Sequence, residues 1–149
     1  MSSGEMNVTD ILKYSIRIEH ESMNFYRESA AKVDGQAVKE LLAILEQEEI
    51  KHEQRLTDIL ASADNTAVSG LDTESMDKLI QNRSISATTT EREILNTALG
   101  REKNTRDFYA SIATMTNLNA DVADLFQMLY NQESGHVTKV GNLLKKLDG

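Results

Sequence analysis

Two short segments of this chain have the form Glu-x-x-His, and both lie within long stretches whose apolar residues recur with helical spacing. The first runs from Glu49 to His52 and the second from Glu133 to His136. Residues three apart project from the same face of an α-helix. Each segment therefore offers one carboxylate and one imidazole to a common point.

A further glutamate stands about 30 residues upstream of each segment, namely Glu19 and Glu102. Four glutamates and two histidines on four helices can hold two metal ions inside a bundle. Such donors suit iron or manganese, and we expect one histidine and one terminal glutamate on each metal, with two glutamates bridging. The candidate metal ligands, which would also be the catalytic groups through their metals, are Glu19, Glu49, His52, Glu102, Glu133 and His136.

The spacing of apolar residues predicts four helices, over residues 9–33, 36–61, 90–115 and 120–147. Asp34-Gly35 and residues 117–119 are turn signals, and Thr90 with Glu93 has the pattern of a capping box. The chain contains no proline, which permits long uninterrupted helices. Residues 62–90 form a polar connection with room for a short helix over 74–81, and residues 1–6 resemble a loose polar start.

The second half of the chain repeats the first. A shift of 83 residues brings Glu19 onto Glu102, and a shift of 84 brings Glu49 onto Glu133. The unit is a helical hairpin, over about 9–61 and 90–147, which cannot cover its apolar stripe alone. We therefore predict a single all-α domain over residues 1–149: a four-helix bundle whose long crossover makes helices 2 and 3 parallel. Hairpins from one chain, or hairpins exchanged between two subunits, would both satisfy this pattern.

Distances along the helices place the candidate ligands at one level. At 1.5 Å per residue, Glu19 and Glu49 lie roughly 23 Å and 21 Å from the turn at Gly35, and the second hairpin gives similar values. Tyr26 and Tyr109, seven residues after the upstream glutamates, share their helix face. They are core residues whose hydroxyl groups would need partners, and site carboxylates are the obvious acceptors.

The composition limits the partners. The formal net charge is −8, which argues against nucleic acid and anionic membranes. No apolar stretch approaches the roughly 20 residues that span a bilayer, and no signal peptide is visible. Cysteine is absent, which excludes disulfides and thiolate metal sites and fits a cytoplasmic location.

Taken together, these motifs resemble the ferritin-like superfamily and, within it, rubrerythrin-type proteins. The residues that carry the resemblance are Glu19 with Phe25-Tyr26, Glu49 with His52, Glu102 with Phe108-Tyr109, and Glu133 with His136. The resemblance implies a non-haem di-iron centre, commonly in a homodimer of the bacterial or archaeal cytoplasm. It also implies reduction of peroxide or oxidation of Fe(II) in oxidative-stress defence, with peroxide, O2 or Fe(II) as substrate.

Two departures from the family pattern matter. Full-length rubrerythrins carry a Cys-ligated rubredoxin-like domain, whereas this cysteine-free chain resembles relatives that lack it and would need an external electron donor or Fe(II) itself. They also carry an additional glutamate three residues after the ligand on helix 3, where this chain has Thr105. The leading hypothesis is a di-iron oxidoreductase. The alternatives are a non-catalytic metal-binding or iron-handling protein, and a structural bundle that is empty or zinc-filled.

Overall fold

The computed structural model describes residues 6–63, 67–68, 89–115 and 118–148. Its helices are α1 (Val8–Ala30), α2 (Gln36–Leu60), α3 (Glu91–Ala113) and α4 (Ala120–Asp148). The all-α prediction is confirmed, and the proposed short helix over 74–81 lies outside the described residues, as does part of the 117–119 turn. No helix in the described part of the chain has both the length and the apolar character needed to cross a membrane.

The ends of the helices follow local hydrogen bonding. The Thr90 hydroxyl accepts from the Glu93 backbone N–H at 3.1 Å and the Glu93 carboxylate accepts from that of Thr90 at 3.2 Å, which confirms the predicted capping box. A second capping box, between Asn7 and Asp10, starts α1 one residue earlier than predicted. The predicted end of α1 at residue 33 is wrong. Val33 packs against the core from the turn, being only 3% exposed, and so extends the apolar pattern beyond the helix.

The start of the described chain is more ordered than the sequence indicated. Strand β1 (Met6–Asn7) pairs antiparallel with β2 (Ala67–Val68), with Met6 opposite Val68. Met6 is also buried among core residues. The expectation of a loose polar start over residues 1–6 is therefore wrong at Met6, because its side chain has an apolar cluster to join.

Helix α1 packs along α2 and α3 along α4, and the two hairpins meet through α2 with α4 and α1 with α3. Two apolar clusters fill the interior. The first cluster comprises Met6, Val8, Ile11, Leu12, Ile18, Leu56, Phe108, Tyr109, Ile112, Val122, Leu125, Phe126 and Leu129. The second cluster comprises Phe25, Tyr26, Val33, Val38, Leu42, Leu45, Ile94, Leu95, Ala98, Val140 and Leu144.

The two clusters define the direction of each helix. The starts of α1 and α4 lie at the first cluster, as do the ends of α2 and α3. Helices α2 and α3 both start at the second cluster, so they are parallel, as the long connection between them predicted. The end of α2 and the start of α3 therefore lie at opposite ends of the bundle. Burying a Leu, Ile or Phe side chain contributes roughly 1.5–3 kcal/mol, and this stabilisation offsets the polar layer between the clusters.

Candidate metal centre

A layer of six ionisable side chains separates the two apolar clusters. On α1, for example, Glu19 lies between Ile18 of the first cluster and Phe25 of the second. The exposed fractions are 0% for Glu19, 1% for Glu49, 0% for His52, 2% for Glu102, 1% for Glu133 and 3% for His136. The structure thus brings together all six residues that the sequence singled out, at one level of the bundle.

The six residues form two overlapping groups of potential ligands. One group is Glu19, Glu49, His52 and Glu133, and the other is Glu49, Glu102, Glu133 and His136. Within each group, one ligand atom per residue lies within 4.8 Å of all the others. Glu49 and Glu133 belong to both groups, so each could offer a ligand atom to either metal position. Glu19 with His52, and Glu102 with His136, form the outer pairs.

Both histidines direct Nδ1 toward the carboxylates. The nearest oxygens are Glu133 Oε1 at 3.1 Å and Glu19 Oε2 at 3.3 Å for His52, and Glu49 Oε1 at 3.3 Å and Glu102 Oε2 at 3.4 Å for His136. The two imidazole rings stack, with 5.8 Å between centroids and 18° between planes. Each ring therefore turns one nitrogen to the centre of the cluster.

Two tyrosines tie the outer glutamates across the hairpins. Tyr26 on α1 donates to Oε1 of Glu102 on α3, and Tyr109 on α3 donates to Oε1 of Glu19 on α1 at 2.5 Å. Both tyrosines are fully buried. Each outer glutamate thus has Oε1 held by a tyrosine and Oε2 beside a histidine. The sequence suggested site carboxylates as acceptors, and the structure adds that the bonds run between the repeats.

Several buried atoms of the second group have no hydrogen-bond partner among the described residues. They are Glu49 Oε1, Glu102 Oε2, both carboxylate oxygens of Glu133, and His136 Nδ1. The His136 contacts above are close but lack hydrogen-bond geometry. Buried polar atoms are normally paired, and an unpaired buried charge costs several kcal/mol. Lone pairs from four side chains converge here, an arrangement that a bound cation would satisfy, so the donor set fits a metal.

The pKa values of the four glutamates diverge. Burial raises the pKa of Glu49 well above its ordinary value, and the charges of Glu133 and Glu19 raise it further. Burial and the charge of Glu102 do the same to the pKa of Glu133. Burial also raises the pKa of Glu19, but the hydrogen bond with Glu49 and the charge of His52 outweigh it and leave that pKa below its usual range.

The pKa values of both histidines are raised. Burial lowers the pKa of His52, but the charge of Glu19 and their hydrogen bond outweigh burial and raise the pKa to about 9. The pKa of His136 is also raised, because the nearby carboxylates of Glu102 and Glu133 outweigh its burial. Without metal, therefore, the layer retains protons that divalent cations would displace on binding.

One residue beside the cluster, Gln132, was not predicted from the sequence. Nε2 of His52 donates to Oε1 of Gln132. Gln132 aligns with Glu48 in the first repeat. This difference between the repeats, directly before Glu49 and Glu133, was the signal that the sequence offered. His20, the third histidine of the chain, lies outside the cluster: its side chain is 53% exposed, and its Nδ1 lies 3.0 Å from Oε1 of Glu53.

Comparison with known proteins agrees with this geometry. The rubrerythrin family profile matches residues 10–147, so the chain belongs to the rubrerythrin family. The fold is similar to that of a dodecameric thioferritin in the bacterial domain, the bacterioferritin-related protein from Bacteroides fragilis. The TM-score is 0.76 at 20% identity, over 94% of this chain and 85% of that one. This likeness shows the ferritin-like bundle, and no curated protein matches the chain.

Replacing Tyr26 or Tyr109 by Phe should lower the free energy of unfolding of the metal-free protein by about 1–3 kcal/mol, because each change leaves a buried carboxylate oxygen without its donor. Urea denaturation measures the loss. Tyr130→Phe is the control, since its half-buried hydroxyl has no hydrogen-bond partner among the described residues. Equal stability of all three variants would contradict the tyrosine bonds.

The metal-free protein should become less stable as the pH rises from 6.5 to about 9. Because the pKa of His52 is about 9 when folded against 6.5 when unfolded, its contribution is complete below pH 6.5 and is lost as the pH rises through 9. The raised pKa values of Glu49 and Glu133 act in the same direction.

Melting temperatures of chelator-treated protein across this pH range measure the effect. His52→Gln should reduce the slope. A metal-free melting temperature that rises with pH would contradict this account of the layer.

Proposed function

We propose that this protein is a non-haem di-iron oxidoreductase of rubrerythrin type, which reduces hydrogen peroxide, oxidises Fe(II), or does both, in oxidative-stress defence. The observation that supports the proposal is the pair of buried four-residue ligand groups that share Glu49 and Glu133. The cysteine-free, carboxylate-rich donor set suits iron or manganese. Membership of the rubrerythrin family favours iron.

Each of the two metal positions would be formed by its own glutamate and histidine together with two shared glutamates. Glu19 and His52 would hold one iron, Glu102 and His136 the other, and the two bridging glutamates both. Four carboxylates balance the four positive charges of two Fe(II) ions, so loading removes the repulsion within the layer. When bound, an iron pair supplies two electrons by passing from Fe(II) to Fe(III), which zinc cannot do.

Peroxide reduction to two waters consumes two electrons and two protons. Two Fe(II) ions supplied as substrate can provide these electrons to peroxide. In the alternative reaction, oxidation of Fe(II), O2 can be the oxidant in place of peroxide. Repeated peroxide turnover otherwise needs an external electron donor, because the chain has no cysteine from which a rubredoxin-like iron site could be built. The bonds from Tyr26 and Tyr109 keep Oε2 of each outer glutamate facing its histidine, and burial of the layer excludes bulk water.

A non-catalytic iron-handling role is the second candidate, and Thr105 favours it. The family resemblance places an additional glutamate at this position, whereas Thr105 offers only a hydroxyl and is 5% exposed. Its repeat equivalent, Ser22, is also buried and accepts from Nη2 of Arg101 at 3.2 Å. The chain therefore lacks, at both equivalent positions, the carboxylate associated with efficient peroxide chemistry.

Assembly and location stay predictions. The resemblance favours a homodimer in the cytoplasm, whereas the structurally similar thioferritin is a dodecamer. We propose a homo-oligomer with the dimer as its smallest form. No oligomer is needed to complete the metal centre, since one chain supplies all six side chains.

Metal stoichiometry tests the shared ligands. Glu49→Ala should weaken both metal-binding steps because Glu49 belongs to both groups, whereas His136→Ala should abolish one step. Anaerobic dialysis against Fe(II), followed by elemental analysis, measures the bound metal. His20→Ala is the control, as an exposed histidine that is paired with a glutamate outside the layer. Two tightly bound irons in Glu49→Ala would rule out the bridging role.

Stopped-flow absorbance tests the activity. Fe(II)-loaded protein mixed with peroxide, or separately with O2, should form Fe(III) faster than free Fe(II) does in the same buffer, and His136→Ala should lose this acceleration. Failure of both oxidants to accelerate oxidation in the wild type would remove the enzyme proposal. Iron binding without such oxidation would establish the iron-handling role instead.

A further inference from the structure

The two histidines of the metal centre are held differently. Nε2 of His52 donates to Oε1 of Gln132, a partly buried side chain on α4. Nε2 of His136 donates to no protein atom among the described residues. The repeat equivalent of Gln132 is Glu48, whose carboxylate lies 3.9 Å from Nζ of Lys51 and whose side chain is 31% exposed. The internal symmetry is therefore broken next to the metal ligands.

The bond to Gln132 has a direct chemical consequence for His52. An amide oxygen only accepts hydrogen bonds, so Nε2 of His52 must carry a proton. When a metal displaces the proton on Nδ1, the lone pair is left on that nitrogen, which faces Glu133 and Glu19. Metal-binding histidines are commonly oriented in this way by a partner on the other ring nitrogen. His136 lacks this constraint on its tautomer and on the rotation of its ring.

The outer glutamates, Glu19 and Glu102, also differ in their hydrogen bonding to the histidines. Oε2 of Glu19 is hydrogen-bonded to Nδ1 of His52 at 3.3 Å, so that pair is already assembled in hydrogen-bond geometry. Oε2 of Glu102 and Nδ1 of His136 are 3.4 Å apart, but neither atom has a hydrogen-bond partner among the described residues. One metal position is pre-organised and the other is not.

We propose that Gln132 is a positioning residue that makes the two metal positions unequal. The position of Glu19 and His52 fills first and holds its metal more tightly, and the position of Glu102 and His136 exchanges its metal. This inference rests on the proposed two-metal site and adds an order of loading to it. If Fe(II) is the substrate, it enters and leaves at the exchanging position while the other ion stays bound.

An anaerobic calorimetric titration with Co(II) tests the inequality. The wild type should bind in two steps whose affinities differ by about tenfold or more. Gln132→Leu should weaken the tighter step by about 10- to 100-fold, the usual effect of removing a partner behind a metal ligand. Gln127→Leu is the matched control on the same helix, because Gln127 is exposed and its one side-chain partner in the described part of the chain is Asn131, at 3.2 Å.

A second measurement needs no variant. In the zinc-loaded wild type with 15N-labelled histidine, the Nε2–H proton of His52 should exchange slowly with solvent because it is bonded to Gln132. The corresponding proton of His136 should exchange rapidly. A general loss of packing would not distinguish these two protons, whereas a specific bond does.

The outcomes separate the two proposals. Two equal binding steps in the wild type, equal effects of the two leucine variants, or equal exchange of the two imidazole protons would overturn the role of Gln132 and leave the two-metal site standing. Absence of any metal binding by the wild type would overturn both.

Discussion

Four carboxyl groups and two imidazoles share one water-poor level of a helical bundle, and the rest of the molecule follows from that constraint. Like charges this close cannot all remain ionised without a cation, and the opposing pKa shifts of Glu49 and Glu19 express that conflict. The layer is tolerable because each helix carries apolar residues on both sides of it. The two apolar clusters hold the helices together on either side of the charges.

Much of this arrangement was predictable from the chain alone. Helical spacing, the absence of proline and the 83- and 84-residue repeats determine four helices and their pairing. Because the repeats have the same length between turn and glutamate, they also place the six polar groups at one level. The parallel direction of α2 and α3 followed from the long connection between them.

What escaped prediction depends on contacts between helices. Val33 and Met6 are buried outside any helix, and apolar spacing cannot separate such residues from helical ones. Gln132 reaches a histidine on another helix, and nothing in its own helix marks it apart from the mismatch with Glu48. The hydrogen bond from Tyr26 to Glu102 depends on the distance between α1 and α3. The spacing of residues along one helix does not contain that distance.

The two hydrogen bonds between the hairpins, from Tyr26 to Glu102 and from Tyr109 to Glu19, limit how such a centre can be organised. Each hairpin supplies the donor that steadies the other hairpin's outer carboxylate, so a solitary hairpin would have an unsupported half-site. Two identical hairpins brought together as separate molecules would satisfy the geometry, but every substitution would then appear twice. Joining the halves in one polypeptide keeps the mutual support and frees each half to diverge, and a centre built from two copies can thereby acquire one resident and one transient ion.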